Sequence, residues 1–170
     1  YWSGLVSAEV MDGFTDHLVN DYFKLPNYYK IDGKPVFCIY EVSNFINGMG
    51  GTEKAREALD TFRKKAVDAG FEGLHLQAII WSSLPATLSA TPGDSEPTQD
   101  KTLQALGFDS VTNYQWCHLV PTDKEYTEWG EEGISYWERY DNEISVPYFP
   151  HVSIDWDPNP RFPMENGPQP

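Results

Sequence analysis

Apolar residues recur along the chain with two alternating kinds of spacing, and this alternation predicts the order of helices and strands. From Ser7, the stretch SAEVMDGFTDHLVNDYF has apolar residues at helical spacing, which predicts a helix capped by Ser7. Short continuous apolar runs, typical of strands buried on both faces, then alternate with further helical stretches. The predicted strands are 35–40, 73–81, 108–116 and 146–156, and the predicted helices between them are 52–70, 101–107 and 128–144.

The alternation of strands and helices predicts an α/β protein with parallel strands joined by helical crossovers. Four such strands correspond to about half of a (β/α)8 barrel of the TIM type, and we take residues 1–170 as a single, partial barrel domain. An open, doubly wound four-stranded sheet is the competing architecture. Two segments are predicted to be loops: SNFINGMGG (43–51) and the long irregular stretch that begins at Ser82.

The composition excludes several partners. The net charge of −14 disfavours nucleic acid and anionic lipid, and the chain has no apolar run of 18 residues that would span a membrane. Cys38 and Cys117 lie in apolar runs and are predicted to be buried free thiols. Aromatic residues make up 15% of the chain, a surplus that fits both a core and a sugar-binding cleft.

The four predicted strands each end in aromatic and hydrogen-bonding residues. The active face of a parallel α/β sheet lies at the carboxyl ends of its strands, so these side chains are the candidate site. The candidate substrate-binding residues are Tyr40, Trp81, Asn113, Tyr114, Trp116, His118, Trp156 and Arg161.

Carboxylates beside aromatic platforms indicate glycosidic chemistry, in which one acid protonates the leaving oxygen and a second acts as base or nucleophile. The catalytic candidates are Glu41, Asp155 and Asp157. Two alternatives stay open, because Glu41 also fits a solvated loop acid and Asp157 a turn residue paired with Arg161. The histidines have no metal-like spacing, and no metal or other cofactor is predicted.

Four stretches of the chain resemble proteins of the glycoside hydrolase family 99-like group. They are YFKLPNYYKIDGKPVFCIYE, LDTFRKKAVDAGFEGLHL, GFDSVTNYQW and VSIDWDPNPR. The group includes endo-α-mannosidase relatives and sequences labelled as polysaccharide-biosynthesis glycosyltransferases. The resemblance implies a (β/α)8 barrel that acts on glycans, with Asp157, Trp156 and Arg161 in the family's Trp-Asp-x-x-Pro-Arg turn.

The chain departs from this family in two ways. Asp155 stands where a small residue is usual. The family's catalytic Glu-Trp-x-Glu pair is expected on a strand after the turn, beyond Pro170, so the chain is expected to be a piece that lacks these glutamates. The letters recur in TEWGEEG, at Glu128 and Glu131, but there they open a predicted helix.

Three hypotheses follow. The first is a glycoside hydrolase that cleaves an α-linked polysaccharide or glycan. The second is a non-catalytic carbohydrate-binding half-barrel, whose two open sheet edges a homo-oligomer or the remainder of the barrel would close. The third is a glycosyltransferase that holds a divalent cation between Asp155 and Asp157. An extracellular or periplasmic location is expected only because glycan hydrolases are usually found there.

Overall fold

A computed structural model describes residues 5–80 and 98–154 of the chain. The helices in these ranges are α1 (Ala8–His17), α2 (Val42–Met49), α3 (Thr52–Asp68), α4 (Gln99–Leu106) and α5 (Tyr126–Glu143). The strands are β1 (Lys30–Ile31), β2 (Lys34–Ile39), β3 (His75–Ile80), β4 (Ser110–Asn113) and β5 (Tyr148–Phe149). A π-helical turn, Leu18–Tyr22, continues α1, and a short 3₁₀ turn, Trp116–His118, follows β4.

The strands form one sheet in their sequence order, β1-β2-β3-β4-β5. β1 pairs with β2 antiparallel, whereas β2 to β5 pair as parallel neighbours. A doubly wound sheet reverses its strand order at a switch point. The described strands have no such reversal, and the sheet curls into a half-barrel. The predicted α/β half-barrel is confirmed in this coarser form, and a complete TIM-type barrel stays a prediction.

The hairpin that joins β1 to β2 was missed by the sequence analysis. Asp32 and Gly33 at its tip have φ angles of 48° and 74°. Two adjacent residues with positive φ define a type I′ turn, for which Asp-Gly is a favoured pair. The sequence IDGK therefore favours a hairpin, although it was predicted only to separate the first helix from the next strand.

The helix α2 corrects the prediction of a loop at 43–51. Its buried side chains are Val42, Phe45, Ile46 and Met49, at the spacing i, i+3, i+4 and i+7 of one helical face. The helix ends at Gly50, whose φ of 84° fits the left-handed position that commonly follows a helix. The glycine and asparagine content of the segment hid this periodicity.

The helix α3 organises the layer of helices on one side of the sheet. It packs against α1, α2 and α4, and its predicted apolar positions Ala55, Leu59, Phe62 and Ala66 are all fully buried, which confirms the helical pattern. The ring of Phe62 meets Phe37 of β2 edge to face, with centroids 5.3 Å apart. Phe37 and the residues in register with it therefore point toward the helices.

The opposite side of the sheet carries the alternate residues of each strand, and we call it the concave face. It is formed by Val36, Cys38, Tyr40, His75, Gln77, Ile79, Ser110, Thr112, Tyr114 and Phe149. Its curvature is visible in ring contacts that pass over an intervening strand. His75 on β3 contacts Phe149 on β5, with centroids 6.5 Å apart, although β4 lies between them.

Cys38 on this face corrects one further prediction. Its side chain is exposed and Cys117 is half-buried, so neither thiol is buried in the core as predicted. Both are free thiols. Cys38 was placed in the core because PVFCIY is continuously apolar, but alternate residues of this strand face opposite sides of the sheet.

Candidate functional site

An aromatic row lies at the carboxyl edge of the sheet and consists of Tyr40, Tyr114 and His118. The rings of Tyr40 and Tyr114 meet edge to face with centroids 5.0 Å apart. The ring of His118 lies nearly parallel to that of Tyr114, with centroids 5.4 Å apart and planes 26° apart. Tyr40 is 42% exposed and the other two are half-buried, so the row presents ring surface at the mouth of the concave face.

The backbone holds this row in place. Tyr114 leaves β4 with its N–H bonded to the carbonyl of Ile80, the last residue of β3, at 2.7 Å. His118 is carried by the 3₁₀ turn, in which its N–H bonds to the carbonyl of Gln115. Three of the predicted substrate-binding residues, from the ends of two strands, are thus brought together in one cluster.

Glu41 directly follows Tyr40 and begins α2. Its carbonyl accepts the hydrogen bond of Phe45 N–H at 3.0 Å, while its side chain makes no capping bond. The residue is half-buried, and within the described part of the chain its carboxylate has no ion pair. A carboxylate at a helix N-terminus is stabilised by the helix dipole, so the geometry suits a negatively charged group at the rim.

Behind the aromatic row, four polar side chains form a continuous chain of hydrogen bonds, which we call the polar row. Cys38 Sγ lies 3.4 Å from Gln77 Oε1, Gln77 Nε2 lies 3.1 Å from Ser110 Oγ, and Ser110 Oγ lies 2.7 Å from His75 Nε2. Each group can donate to the next in this order, from the thiol to a neutral imidazole.

Partial desolvation keeps Cys38 and His75, the two titratable groups of this row, uncharged. Desolvation raises the pKa of the Cys38 thiol. Desolvation also lowers the pKa of His75, and the carboxylate of Asp109 only partly offsets this effect. Both groups are therefore neutral at pH 7. These residues were not among the predicted site residues, although counting back in twos from Tyr40 and Tyr114 finds Cys38 and, beyond Thr112, Ser110.

Asn113 and Trp116, both predicted to bind substrate, lie in the interior. Asn113 is 2% exposed, and its side-chain amide donates to the carbonyl of Tyr114 and accepts from the hydroxyl of Tyr148. Trp116 is also 2% exposed, and its ring packs edge to face with Trp129 of α5 at 5.3 Å. Their binding roles stay predictions.

Ser153 joins the end of the β5 segment to the turn after β4. Its Oγ accepts the N–H of Trp116 at 3.0 Å and lies 3.0 Å from His151 Nε2. Its carbonyl accepts the hydroxyl of Tyr126, at the start of α5, at 3.0 Å. Residues 151–153, which lead toward the predicted turn, therefore lie against the turn that carries His118.

The remaining predicted site residues lie outside the described ranges. They are Trp81, Asp155, Trp156, Asp157 and Arg161. Glu128 and Glu131, of the TEWGEEG segment, are exposed in the first turns of α5, so this segment opens a helix as predicted. Among the described residues, no three His, Cys, Asp or Glu side chains are grouped to hold a metal ion, and no helix is long and apolar enough to cross a membrane.

Comparison with known proteins gives one match. The model of a family described as Glycosyltransferase WbsX matches residues 7–167. No curated protein and no solved structure matches the chain. The match confirms that the sequence resemblance pointed to a glycan-related family, while membership in the hydrolase family 99 stays a prediction.

Proposed function

Because the chain belongs to the Glycosyltransferase WbsX family, we propose that it binds a glycan across the concave face and cleaves a glycosidic bond at its carboxyl edge. The observation that carries this proposal is the aromatic row. Sugar rings present flat C–H faces, and the partly exposed rings of Tyr40, Tyr114 and His118 offer aromatic surface to such faces.

Glu41 is the catalytic candidate among the described residues. It lies one residue from Tyr40, at the rim of the face and at the N-terminus of α2. Glycosidic cleavage requires two carboxyl groups that flank the bond, one as acid and one as base or nucleophile. We propose Asp157 or Asp155 for the second role. Trp81, Trp156 and Arg161 are proposed to extend the binding surface.

Transfer of a sugar from a nucleotide donor is the second candidate, and the family description favours it. In that reaction Asp155 and Asp157 would hold a divalent cation on the diphosphate. Glu41 would then serve as the base that activates the acceptor hydroxyl.

Assays of turnover separate the two candidates. The protein is incubated with a panel of α-linked polysaccharides, and released reducing ends are counted. A parallel reaction supplies nucleotide sugars, oligosaccharide acceptors and Mn²⁺. Reducing ends that depend on the protein support hydrolysis, and Glu41→Gln should lower their rate on the order of 10²-fold or more. Metal-dependent extension of the acceptor would instead support the transferase.

Binding tests the aromatic row itself. Tyr114→Ala should weaken glycan binding on the order of tenfold, because a stacked ring is lost. Tyr29→Ala is the matched control, since Tyr29 is a 67% exposed tyrosine next to β1 and outside the row. Binding without turnover in either assay would leave the non-catalytic carbohydrate-binding module, and equal losses in both variants would contradict the proposed role of the row.

A further inference from the structure

The charges of the described residues are distributed very unevenly between the two sides of the sheet. The concave face is built from apolar, hydroxyl, thiol, amide, phenol and imidazole side chains. Of the described strand residues that share its phase, only Lys34, at the amino end of β2, is charged. This is unexpected in a chain of net charge −14, of which 22% is charged. The charged residues must therefore be concentrated elsewhere.

Most of the described cations lie on the outer helices or in loops beside them, and carboxylates neutralise part of this set. Six of them form ion pairs in the described part of the chain: Arg56, Arg63, Lys64, Lys65, Lys124 and Arg139. Lys65 is shared between two carboxylates of α1, Asp12 and Asp16, at 2.7 and 2.8 Å. These six cations are therefore already paired with carboxylates.

Lys34 has the same strand phase as Val36 and therefore lies on the concave side, where its charge helps to lower the pKa of His75. It lies at the amino end of the strand, opposite the aromatic row. It begins β2, and its side chain packs beside Gly73. Tyr40 follows six residues later, which corresponds to about 20 Å along an extended strand. That distance is about two Debye lengths at physiological ionic strength, so Lys34 offers little attraction to an anion bound at the aromatic row.

The rim of the face adds negative charge, through Glu41 beside Tyr40. An anionic ligand at the row would thus meet the like charge of Glu41.

Resting on the proposed function, we propose that the concave face selects neutral saccharides and rejects glycans that carry uronate, sulfate or phosphate groups. Neutral sugars need only stacking surface and neutral hydrogen-bonding groups, which the aromatic row and the polar row supply. One negative group near Glu41 should weaken binding on the order of tenfold at low salt, the size of a single like-charge interaction about 10 Å away near a protein surface.

Matched pairs of polymers test this selectivity. Binding of dextran and dextran sulfate, and of xylan and glucuronoxylan, is measured by affinity electrophoresis and calorimetry at 20 and 300 mM NaCl. We expect the neutral member of a pair to bind, the anionic member to bind more weakly, and the difference to shrink at high salt because the repulsion is screened. Tighter binding of the anionic member would overturn the inference and leave the glycan function standing. Failure of every polymer to bind would contradict the proposed function itself.

A charge added to the concave face supplies the second arm. Thr112→Lys places an ammonium group two residues before Tyr114, and it should raise the affinity for the anionic member on the order of tenfold. Thr61→Lys changes the net charge equally on the exposed side of α3 and should leave the preference unchanged. An equal effect of the two variants would mean that net charge, and not the concave face, sets the selectivity. If Thr112→Lys does not fold, the salt series on the unchanged protein still decides.

Discussion

The indole ring of Trp116 lies against Gly133 so closely that a β-carbon on residue 133 would stand 2.6 Å from Cδ2 of the ring. Trp116 follows β4 and Gly133 lies in the middle of α5, so this contact sets how near α5 approaches the turn that carries His118. A glycine within a helix costs about 1 kcal/mol relative to alanine, and here the close approach of the ring requires it.

Gly133→Ala should therefore destabilise the protein by about 1–3 kcal/mol, because the added methyl group overpacks the contact with Trp116. Gly130→Ala is the control in the same helix, where the nearest ring atom of Trp116 would be 3.8 Å from the new β-carbon. That change should stabilise by about 0.5–1 kcal/mol through helix propensity. Urea denaturation followed by fluorescence measures both, and the same sign for the two variants would contradict the account.

The contrast between Tyr114 and Trp116 illustrates how much of the site the sequence could predict. The pattern of strands placed both residues at the carboxyl end of the strand predicted over 108–116, and in the structure Tyr40, Tyr114 and His118 meet in the aromatic row. The strand pattern could not predict which of the two rings turns outward. The position of the Trp116 ring depends on Gly133, which lies 17 residues after Trp116 in the chain. Contacts between elements distant in sequence leave no local periodicity.

The fold shows the same division between local and distant information. The helical stripe of α3 and the cap of α1, where Ser7 Oγ accepts the N–H of Val10, follow from local rules and are confirmed. Strand lengths do not, since 146–156 was predicted as a strand and β5 pairs only over Tyr148–Phe149. Pairing needs a neighbour in register, and apolar character alone does not supply one.

Arg63 and Lys64 are adjacent in α3, but their side chains contact different kinds of groups. The guanidinium of Arg63 donates to the carbonyl of Gly107, which ends α4, and to Asp60 at 3.2 Å. Lys64 pairs only with Asp68 in the described structure, and both side chains are largely exposed. Arg63 thus satisfies a terminal carbonyl of a neighbouring helix, whereas Lys64 forms an ordinary surface ion pair.

Arg63→Ala should lower the free energy of unfolding by about 1–3 kcal/mol, because it leaves the carbonyl of Gly107 without its donor and removes one of the two arginine donors to Asp60. Lys64→Ala should cost less than about 0.5 kcal/mol, as exposed ion pairs usually do. Both are measured by urea denaturation at the same salt concentration. Equal losses in the two variants would mean that Arg63 does not anchor α4.

The buried His75 and the half-buried His151 make stability depend on pH. Desolvation lowers the pKa of both His75 and His151 below their ordinary 6.5 in the folded state, with Lys34 adding to the effect at His75 and Asp109 opposing it. The unfolded chain therefore binds protons at a higher pH than the folded chain. The free energy of unfolding should fall as the pH drops below about 6.5, and this loss should level off below the folded-state pKa values.

His75→Gln and His151→Gln should each reduce the slope of the free energy of unfolding against pH between pH 7 and 5. Each removes a fraction of the about 1.4 kcal/mol per pH unit that one whole proton contributes. Urea titrations at half-unit pH steps, with the double variant as an additivity check, measure the slopes. A steeper slope in either single variant would contradict the sign of the pKa shift.

Tyr148 connects the interior to the aromatic row through Asn113. The hydroxyl of Tyr148 donates to Asn113 Oδ1, and Asn113 Nδ2 donates to the carbonyl of Tyr114 at 2.6 Å. Desolvation raises the pKa of Tyr148, so the hydroxyl keeps the proton that it donates. This bond fixes which end of the Asn113 amide faces Tyr114, and thereby fixes the carbonyl of Tyr114 at the edge of the sheet.

Tyr148→Phe should release this arrangement while keeping the ring. We expect faster hydrogen exchange of the Tyr114 amide, whose N–H bonds to Ile80, and on the order of threefold weaker glycan binding. Tyr140→Phe is the matched control, because that ring packs 5.3 Å from Tyr148 and also loses one hydroxyl. If the Tyr114 amide exchanges at the same rate in Tyr148→Phe as in the unchanged protein, the hydroxyl of Tyr148 does not position the aromatic row. Faster exchange with unchanged glycan binding would instead keep the structural link and remove Tyr114 from the binding surface.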